Sequence, residues 1–519
     1  MIQIFSSKLS SEIDVENLGV SRLKSFIEQN DEKVKVTYLN INENYRSQMH
    51  NVILESKLFG FSLYNDCMEF FVEVINEIKH LKPNAIIVVG SKFVTLYYKE
   101  ILQAFKKIDY AILGDGEKAL LDLIRYIDSG EDIKSISSKH ENIASVDSLS
   151  YKYPAVLKIN KLPWPDRSWM KESNNKYLFA FICDSQGCSG KCSFCTWNNY
   201  HTEWNGRSAE DIYNEIVEIN TEFGIRWFYF TSSSFEDLGL AGKNKIRKLC
   251  LLLKENNKNF AFRYYLRADT FDDTVEDMVL LRLMRSSGFK LVIVGIESGN
   301  DEDLRIFNKR ASLRQNRITL NLLKEADIYS QAIGFIMFNP YTTHYKLTQN
   351  YRFLCEFGIG SMARFTSKLR VYIQTDMYEQ VKKDGLLTYE GSFYQNEGCT
   401  YQFKHADIEC IDNFVRKYFG TNQIQKLNVD FETSSNFIIS FYEFVENGLQ
   451  YKTKMMEIVR RNSELLKEYF FHLYVEFDLR KSEELLSDII KEYSKNVNET
   501  ITLKFGLYKK LNKQIMLGF

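Results

Sequence analysis

The feature that most constrains this chain is a rhythm: apolar runs of strand length alternate with amphipathic helical runs, in two successive blocks. In the first block, "MIQIF", "VKVTYLNI", "FGFSLY", "AIIVVG" and "YAILGDG" read as strands. Between them "LGVSRLKSFIEQN", "DCMEFFVEVINEIKHL" and "VTLYYKEILQAF" read as helices, and "EKALLDLIRYI" closes the series. Short, continuous, β-branched runs belong to strands buried on both faces, and such strands are joined in parallel through helical crossovers. Residues 1–165 are therefore expected to form an α/β, doubly wound, parallel-sheet (Rossmann-like) domain. "LPWPDRSW", Leu162–Trp169, holds two of the five prolines and reads as the linker that follows.

The second block, expected over 166–380, carries six strand-like runs: "YLFAFIC", "IRWFYFT", "FAFRYYL", "KLVIVGI", "AIGFIMF" and "SKLRVYI". Right-handed crossovers curl six such units into a partial (β/α)6 TIM-like barrel whose strand C-termini form the mouth of a site. Residues 381–519 read as a helix-rich C-terminal domain, rich in Tyr, Phe and Lys. That region is placed to cap the barrel mouth, although its aromatic content reads first as core.

Directly after the first barrel strand comes "CDSQGCSGKCSFCTW", Cys183–Trp197, with four of the nine cysteines. Cys188, Cys192 and Cys195 stand in C-x3-C-x2-C spacing. Three thiolates in one loop can hold three irons of a [4Fe–4S] cluster and leave the fourth iron open to a small chelating molecule. Structural zinc asks for four ligands, usually in two separated pairs, and no second pair occurs. Cys183 lies on the strand itself and reads as a packed core cysteine. As a fourth ligand it would close the cluster and turn the reading towards a redox protein.

Charge and hydropathy exclude other classes. Lys+Arg (67) and Asp+Glu (68) nearly cancel, so there is no basic footprint for nucleic acid. The start lacks the basic flank and apolar stretch of a signal peptide, and no apolar run approaches membrane-span length. A cytoplasmic location is expected, where clustered cysteines read as metal ligands before disulfides.

The cysteine motif, with Phe194 before its last cysteine, resembles the radical S-adenosylmethionine (SAM) superfamily. The likeness continues through "WNGRSAEDIYNEI", through "YLRAD" after the third strand and through "VGIESGNDEDL" after the fourth. "IGFIMFNPYTT" is similar to the fifth-strand ending, with Asn339 where a glycine is customary. The first block and "LPWPDR" resemble the cobalamin (B12)-binding branch of that superfamily. The resemblance implies that Cys188, Cys192 and Cys195 ligate the cluster and that SAM chelates the open iron. It also implies Glu297, with Ser298, on the ribose, Arg267 beside the ribose or carboxylate, and Phe194 against the adenine. Ser232, in "FTSSSFED", is a candidate for the SAM amine. Asp269 beside Arg267 offers a plain ion pair, and a helix cap is the plain reading of Glu297. Where a cobalt-ligating histidine would stand, "DVENLG" has Glu16, so any cobalamin would bind without it. The single glycine in "VVGSK", where a pair is common, crowds that turn.

The expected function is reductive cleavage of SAM followed by radical modification of a small-molecule or peptide substrate. With cobalamin bound, methylation of a natural product or peptide is expected. Without it, epimerisation, rearrangement or cross-linking becomes the alternative, with Cys399 as candidate hydrogen donor or as spectator thiol. An electron donor such as flavodoxin or ferredoxin is the implied partner. A non-catalytic iron–sulfur redox protein is the competing class.

Overall fold

The computed structural model describes residues 2–7, 16–41, 53–64, 67–130, 135–149, 155–172, 179–196, 203–235, 239–256, 258–390 and 398–516. Its first sheet has six strands: β1 (Ile2–Ser7), β2 (Val36–Ile41), β3 (Leu58–Ser62), β4 (Ile86–Gly90), β5 (Tyr110–Ile112) and β6 (Ile143–Ala144). Their order is β2-β1-β3-β4-β5-β6, parallel throughout except at β6. Alternation along the strands feeds two separate cores. Phe59, Phe61, Ile87 and Val89 face helices α2 (Met68–Leu81) and α3 (Lys92–Ala104). Leu58, Val88 and Ile112 face α1 (Leu18–Asn30) and α4 (Glu117–Ser129). Both faces are covered, which is why these strands read as unbroken apolar runs. The chain reverses direction across the sheet between β1 and β3, and open sheets of this kind bind ligands in the crevice at that reversal.

The second sheet holds β7 (Phe179–Ile182), β8 (Trp227–Phe230), β9 (Ala261–Arg267), β10 (Phe289–Glu297) and β11 (Tyr329–Phe335) in consecutive parallel order. Ala180, Ile182, Phe228, Phe230, Val292 and Val294 point outward into the layer of helices α5 (Ala209–Phe223), α6 (Leu240–Glu255), α7 (Val275–Ser286) and α8 (Leu313–Glu325). The expected sixth strand is reduced to an isolated parallel bridge, Phe338 to Lys368, with Leu369 N–H donating to the Phe338 carbonyl at 2.8 Å.

The C-terminal helices do something other than cap the mouth. After α9 (His344–Glu356) and α10 (Asp376–Lys383) the chain forms α11 (Ala406–Phe419), α12 (Asn422–Phe441), α13 (Leu449–Tyr474) and α14 (Leu479–Met516). Phe437, Ile438 and Phe441 of α12 pack on Leu291, Trp227 and Tyr329 of the strands, together with Leu507 of α14. These strand residues alternate with the outward set, so α12 fills the concave side of the barrel below its mouth. Trp227 and Phe441 meet edge to face at 5.0 Å. The aromatic residues read as core are core, each worth about 1.5–3 kcal/mol when fully buried.

Strand β7 ends the barrel sheet and would expose an unpaired edge. Glu16 and Arg167 cover it: Phe181 N–H donates to Glu16 Oε2 at 3.2 Å, and Arg167 Nη2 donates to the Phe181 carbonyl at 2.8 Å. Arg167 also pairs with Glu16 and Glu215, both at 2.8 Å, and all three side chains are buried. The proline segment is therefore anchored rather than slack, with Trp164 Nε1 donating to Asp211 at 2.8 Å.

Candidate active site

The cysteine loop is held by its neighbours on two sides. Ser193 N–H donates to the Phe307 carbonyl at 2.9 Å and its hydroxyl to the Ile306 carbonyl at 2.8 Å. Met377 N–H, in α10, donates to the Ser193 carbonyl at 2.8 Å. Within the loop, Cys195 N–H donates to the Cys192 carbonyl, and Gly190 N–H to Cys188 Sγ at 3.3 Å. Cys192 lies in the electrostatic field of both Cys195 and Cys188, and burial pushes its thiol up to about 11. Among the described residues no three His, Cys, Asp or Glu side chains gather as the sphere of a single ion. A cubane takes one thiolate per iron, so it does not ask for such a sphere.

Cys183 is turned elsewhere. Its sulfur lies 3.6 Å from the Ser185 carbonyl, and its charged neighbours are Arg22, Asp184 and Arg207. Burial raises its pKa, but the residue is half-buried among charged side chains and not packed in the apolar core where it was expected.

Glu297 ends β10 in the left-handed region, at φ +63°. A non-glycine residue held there stores strain, and such strain collects at functional sites. Its carboxylate lies over two glycines: a Cβ on Gly295 would stand 3.0 Å from Glu297 Oε1, and one on Gly334 would stand 2.9 Å from it. Lys309 completes the support, its ammonium 3.5 Å from Glu297 Oε1. Burial alone would depress Lys309, but Glu297 and Cys192 outweigh it and leave the ammonium above its ordinary value. Lys309, in "FNKRAS", was not anticipated; its position after the helix following β10 gave no local signal. The neighbouring Ser298 is not brought to the mouth. It is fully buried, donating to Asn350 Oδ1 at 2.9 Å and accepting from Asn300. It stands just past the end of β10, where the left-handed turn at Glu297 carries the chain away from the strand.

Arg267 makes the ion pair expected of it. Its guanidinium pairs in bidentate fashion with Asp269 at 2.9 and 2.6 Å. It also donates to Ser189 Oγ at 2.9 Å and stands 4.0 Å from Cys188 Sγ, so the ion pair is part of the cysteine loop's surroundings. Phe194 lies edge to face with Phe307 at 5.6 Å, partly exposed. Ser232 is buried beside Asp184, another residue the sequence did not single out. Burial pushes the Asp184 carboxyl up to about 6. The Ser232 and Ser185 side chains and the field of the Lys245 ammonium partly offset that rise. Cys399 is buried near Tyr97, its thiol 3.1 Å from the Glu390 carbonyl. Asn339 is fully buried, its N–H donating to Thr342 Oγ1 at 2.8 Å, so the turn closes without the customary glycine.

The family model of the B12 binding domain matches residues 8–124, and that of the radical SAM superfamily matches residues 182–352. The chain belongs to the radical SAM superfamily, in the branch with a B12-binding domain. It is a radical SAM enzyme, and its family cofactors are a [4Fe–4S] cluster and SAM. An uncharacterized methyltransferase of Pyrococcus horikoshii is 23% identical over 357 residues, covering 66% of this chain and 73% of that protein. The anaerobic magnesium-protoporphyrin IX monomethyl ester cyclase of Synechocystis is 24% identical over 264 residues. That match covers 48% of this chain and 49% of the cyclase, so the chain spans about half of that relative. Among solved structures, the cobalamin-dependent SAM radical enzyme OxsB with aqua-cobalamin bound superposes with a TM-score of 0.73 at 17% identity. The superposition covers 100% of this chain and 81% of OxsB. No helix among the described residues is long and apolar enough to cross a membrane.

In the B12-binding domain a crevice of about 230 Å3 opens at the C-terminal ends of β3, β4 and β5, at the sheet's reversal point. Asn17, Gly60, Gly90, Lys92 and Gly114 are among its walls. Ser91, where a second glycine is common, takes a glycine-like φ of +154°. Its hydroxyl donates to the Leu63 carbonyl at 2.5 Å and caps Val94 N–H, which holds it there at the crevice wall. Asp14 lies outside the described residues. Glu16 is fully engaged by Arg167 and the Phe181 N–H, so it covers the barrel edge instead of facing a corrin.

Proposed function

We propose that this protein is a cobalamin-dependent radical SAM methyltransferase acting on a small natural product or a peptide. One observation carries the reading: the crevice of the B12-binding domain faces the cluster loop. Arg22 and Lys92 stand on its walls, and they lie in the fields of Cys183 and Cys195 on the barrel side. Two cofactor sites opposed across one gap suit a methyl carrier working against a radical generator. The methyltransferase name of the Pyrococcus relative and the aqua-cobalamin of OxsB support the same assignment.

When bound, the cluster and SAM supply a 5′-deoxyadenosyl radical, and cobalamin supplies a methyl carrier. The chain's own part is to hold and orient. Cys188, Cys192 and Cys195 would hold the cluster. Ser232, beside Asp184, would take the SAM ammonium, Glu297 would accept from the ribose hydroxyls, and Phe194 would flank the adenine. Arg267, fixed by Asp269, would face the carboxylate.

A second reading rests on Cys399. Burial pushes its thiol up to about 11, so it keeps the hydrogen that a radical-quenching donor must give. Anaerobic purification with hydroxocobalamin separates the two. A retained cobalt spectrum, with transfer of a deuterated methyl group from SAM, supports methylation. A cobalt-free protein whose turnover stops on Cys399→Ala overturns it in favour of donor-cysteine chemistry.

A further inference from the structure

The inward faces of the barrel strands are not sealed. Phe181, Tyr229, Arg263, Tyr265 and Ile293 point into the barrel and stay partly exposed, while their outward neighbours on the same strands are buried. A space that water reaches therefore lies between the mouth and α12, which fills the barrel below. Arg263 stands in it. Its guanidinium carbon lies 4.2 Å from the centre of the Tyr229 ring, and the Tyr229 and Tyr265 hydroxyls meet at 3.2 Å. Phe181 meets the same Tyr229 ring edge to face at 5.5 Å. A guanidinium lying over a ring keeps its N–H donors free for an acceptor. Among the described residues Arg263 forms no hydrogen bond or ion pair, and its Nε is buried without a partner. Arg267, on the same strand face, is by contrast already paired with Asp269. A buried donor left unmet calls for an acceptor that the chain does not supply.

We propose that Arg263 anchors the substrate by an oxyanion, a carboxylate or a phosphate, on a small molecule whose body lies against Tyr229, Tyr265 and Phe181. The arginine fork matches two oxygens of such a group. Arg263 comes four residues before Arg267 on one strand face, about 13 Å deeper at roughly 3.3 Å per residue. An anion held there directs the other end of the molecule to the mouth. An uncharged substrate leaves the fork unmet and is selected against. The inference deepens the proposed function by naming the charge of the substrate, and it rests on the barrel mouth being the reaction site. The competing role is an internal counter-ion for Glu432 of α12. Burial holds that carboxyl above its ordinary range, and Arg364 and Arg263 only partly offset the rise. No ion pair joins Glu432 to Arg263.

The test is the binding of three probes of similar shape: phenyl phosphate, benzoate and the neutral benzamide. The full chain is used with its cluster reconstituted and oxidised, SAM in excess and no reductant, and ligand-observed nuclear magnetic resonance reads the dissociation constants. The wild type is expected to bind one of the anions roughly 10- to 150-fold more tightly than benzamide, and which anion it prefers tells phosphate from carboxylate. Arg263→Gln should bring that anion down to the level of benzamide. Arg263→Lys, which keeps the charge without the fork, should fall between. Arg282→Gln, exposed on α7, should bind as the wild type does. A wild type that binds benzamide as tightly as both anions overturns the proposal, whatever the variants do. So does an Arg263→Gln protein that keeps the preference. A lowered melting temperature in Arg263→Gln, with no anion preference in the wild type, assigns Arg263 to Glu432 instead. Electron paramagnetic resonance on the same samples keeps the two readings apart. A spectrum that responds to SAM without an anion preference sinks this proposal alone. An anion preference without a SAM response sinks the reading of the mouth, and the proposal with it.

Discussion

Placing a methyl group on Gly334 tests the support beneath Glu297 without touching Glu297 itself. The new Cβ would stand 2.9 Å from Oε1, 3.0 Å from Oε2 and 3.2 Å from Cδ of that carboxylate. Carbon–oxygen contacts this close are repulsive, and the carboxylate is the group that can swing away. Its backbone is fixed by the Ile336 N–H donating to the Glu297 carbonyl at 2.8 Å, and Lys309 draws one oxygen back. The expected result of Gly334→Ala is a displaced carboxylate in an otherwise intact barrel. A hydrogen bond to a charged group contributes about 1.5–3 kcal/mol, so its loss weakens SAM binding roughly 10- to 150-fold. Calorimetric titration of SAM into the reconstituted protein measures this, with iron content and melting temperature as controls for the cluster and the fold. If Gly334→Ala binds SAM as tightly as wild type, Glu297 does not hold the cofactor.

Three further outcomes follow from the same geometry. Arg167→Met leaves Glu16 and Glu215 buried without their shared cation, and a loss of about 3–5 kcal/mol is expected in chemical denaturation; a loss below about 1 kcal/mol would contradict the edge-covering role. Asp184, raised by burial to about 6 from an unfolded value of about 3.9, binds an extra proton in the folded state between those values. Stability must therefore fall as pH rises from about 4 to 6, by roughly 3 kcal/mol, and Asp184→Asn should remove that slope from ligand-free protein; parallel pH profiles would refute it. Cys183→Ala should keep a full iron and sulfide complement, whereas Cys192→Ala should lose it. Equal losses would make Cys183 a ligand.

Much of this architecture is legible in the sequence because it is local. The buried parallel strands announce themselves as continuous apolar runs, and the cysteine loop and Glu297 fall at strand C-termini. What escaped depends on chain segments far apart. Glu16 reads as a missing histidine, but its partner, the Phe181 N–H, lies 165 residues away. Lys92 meets Cys195 only because α3 docks on the barrel, and Lys309 reaches Glu297 after a helix has turned the chain back. Ser298 is taken up by Asn350, 52 residues away, a partner that no local pattern names. The C-terminal helices were read as helical and aromatic, and nothing in their periodicity says that α12 enters the concave side of the barrel. The sixth strand faded because "SKLRVYI" pairs with the Cys399 segment by one antiparallel bridge as well as with Phe338.

The central claim is that three thiolates hold a cubane with one iron left for SAM. Anaerobic reconstitution, reduction with dithionite and electron paramagnetic resonance spectra taken with and without SAM test it most directly. The account predicts a [4Fe–4S] signal whose g-values shift when SAM is added. A signal that SAM leaves unchanged, or a protein that reconstitutes with zinc and no cubane, contradicts it.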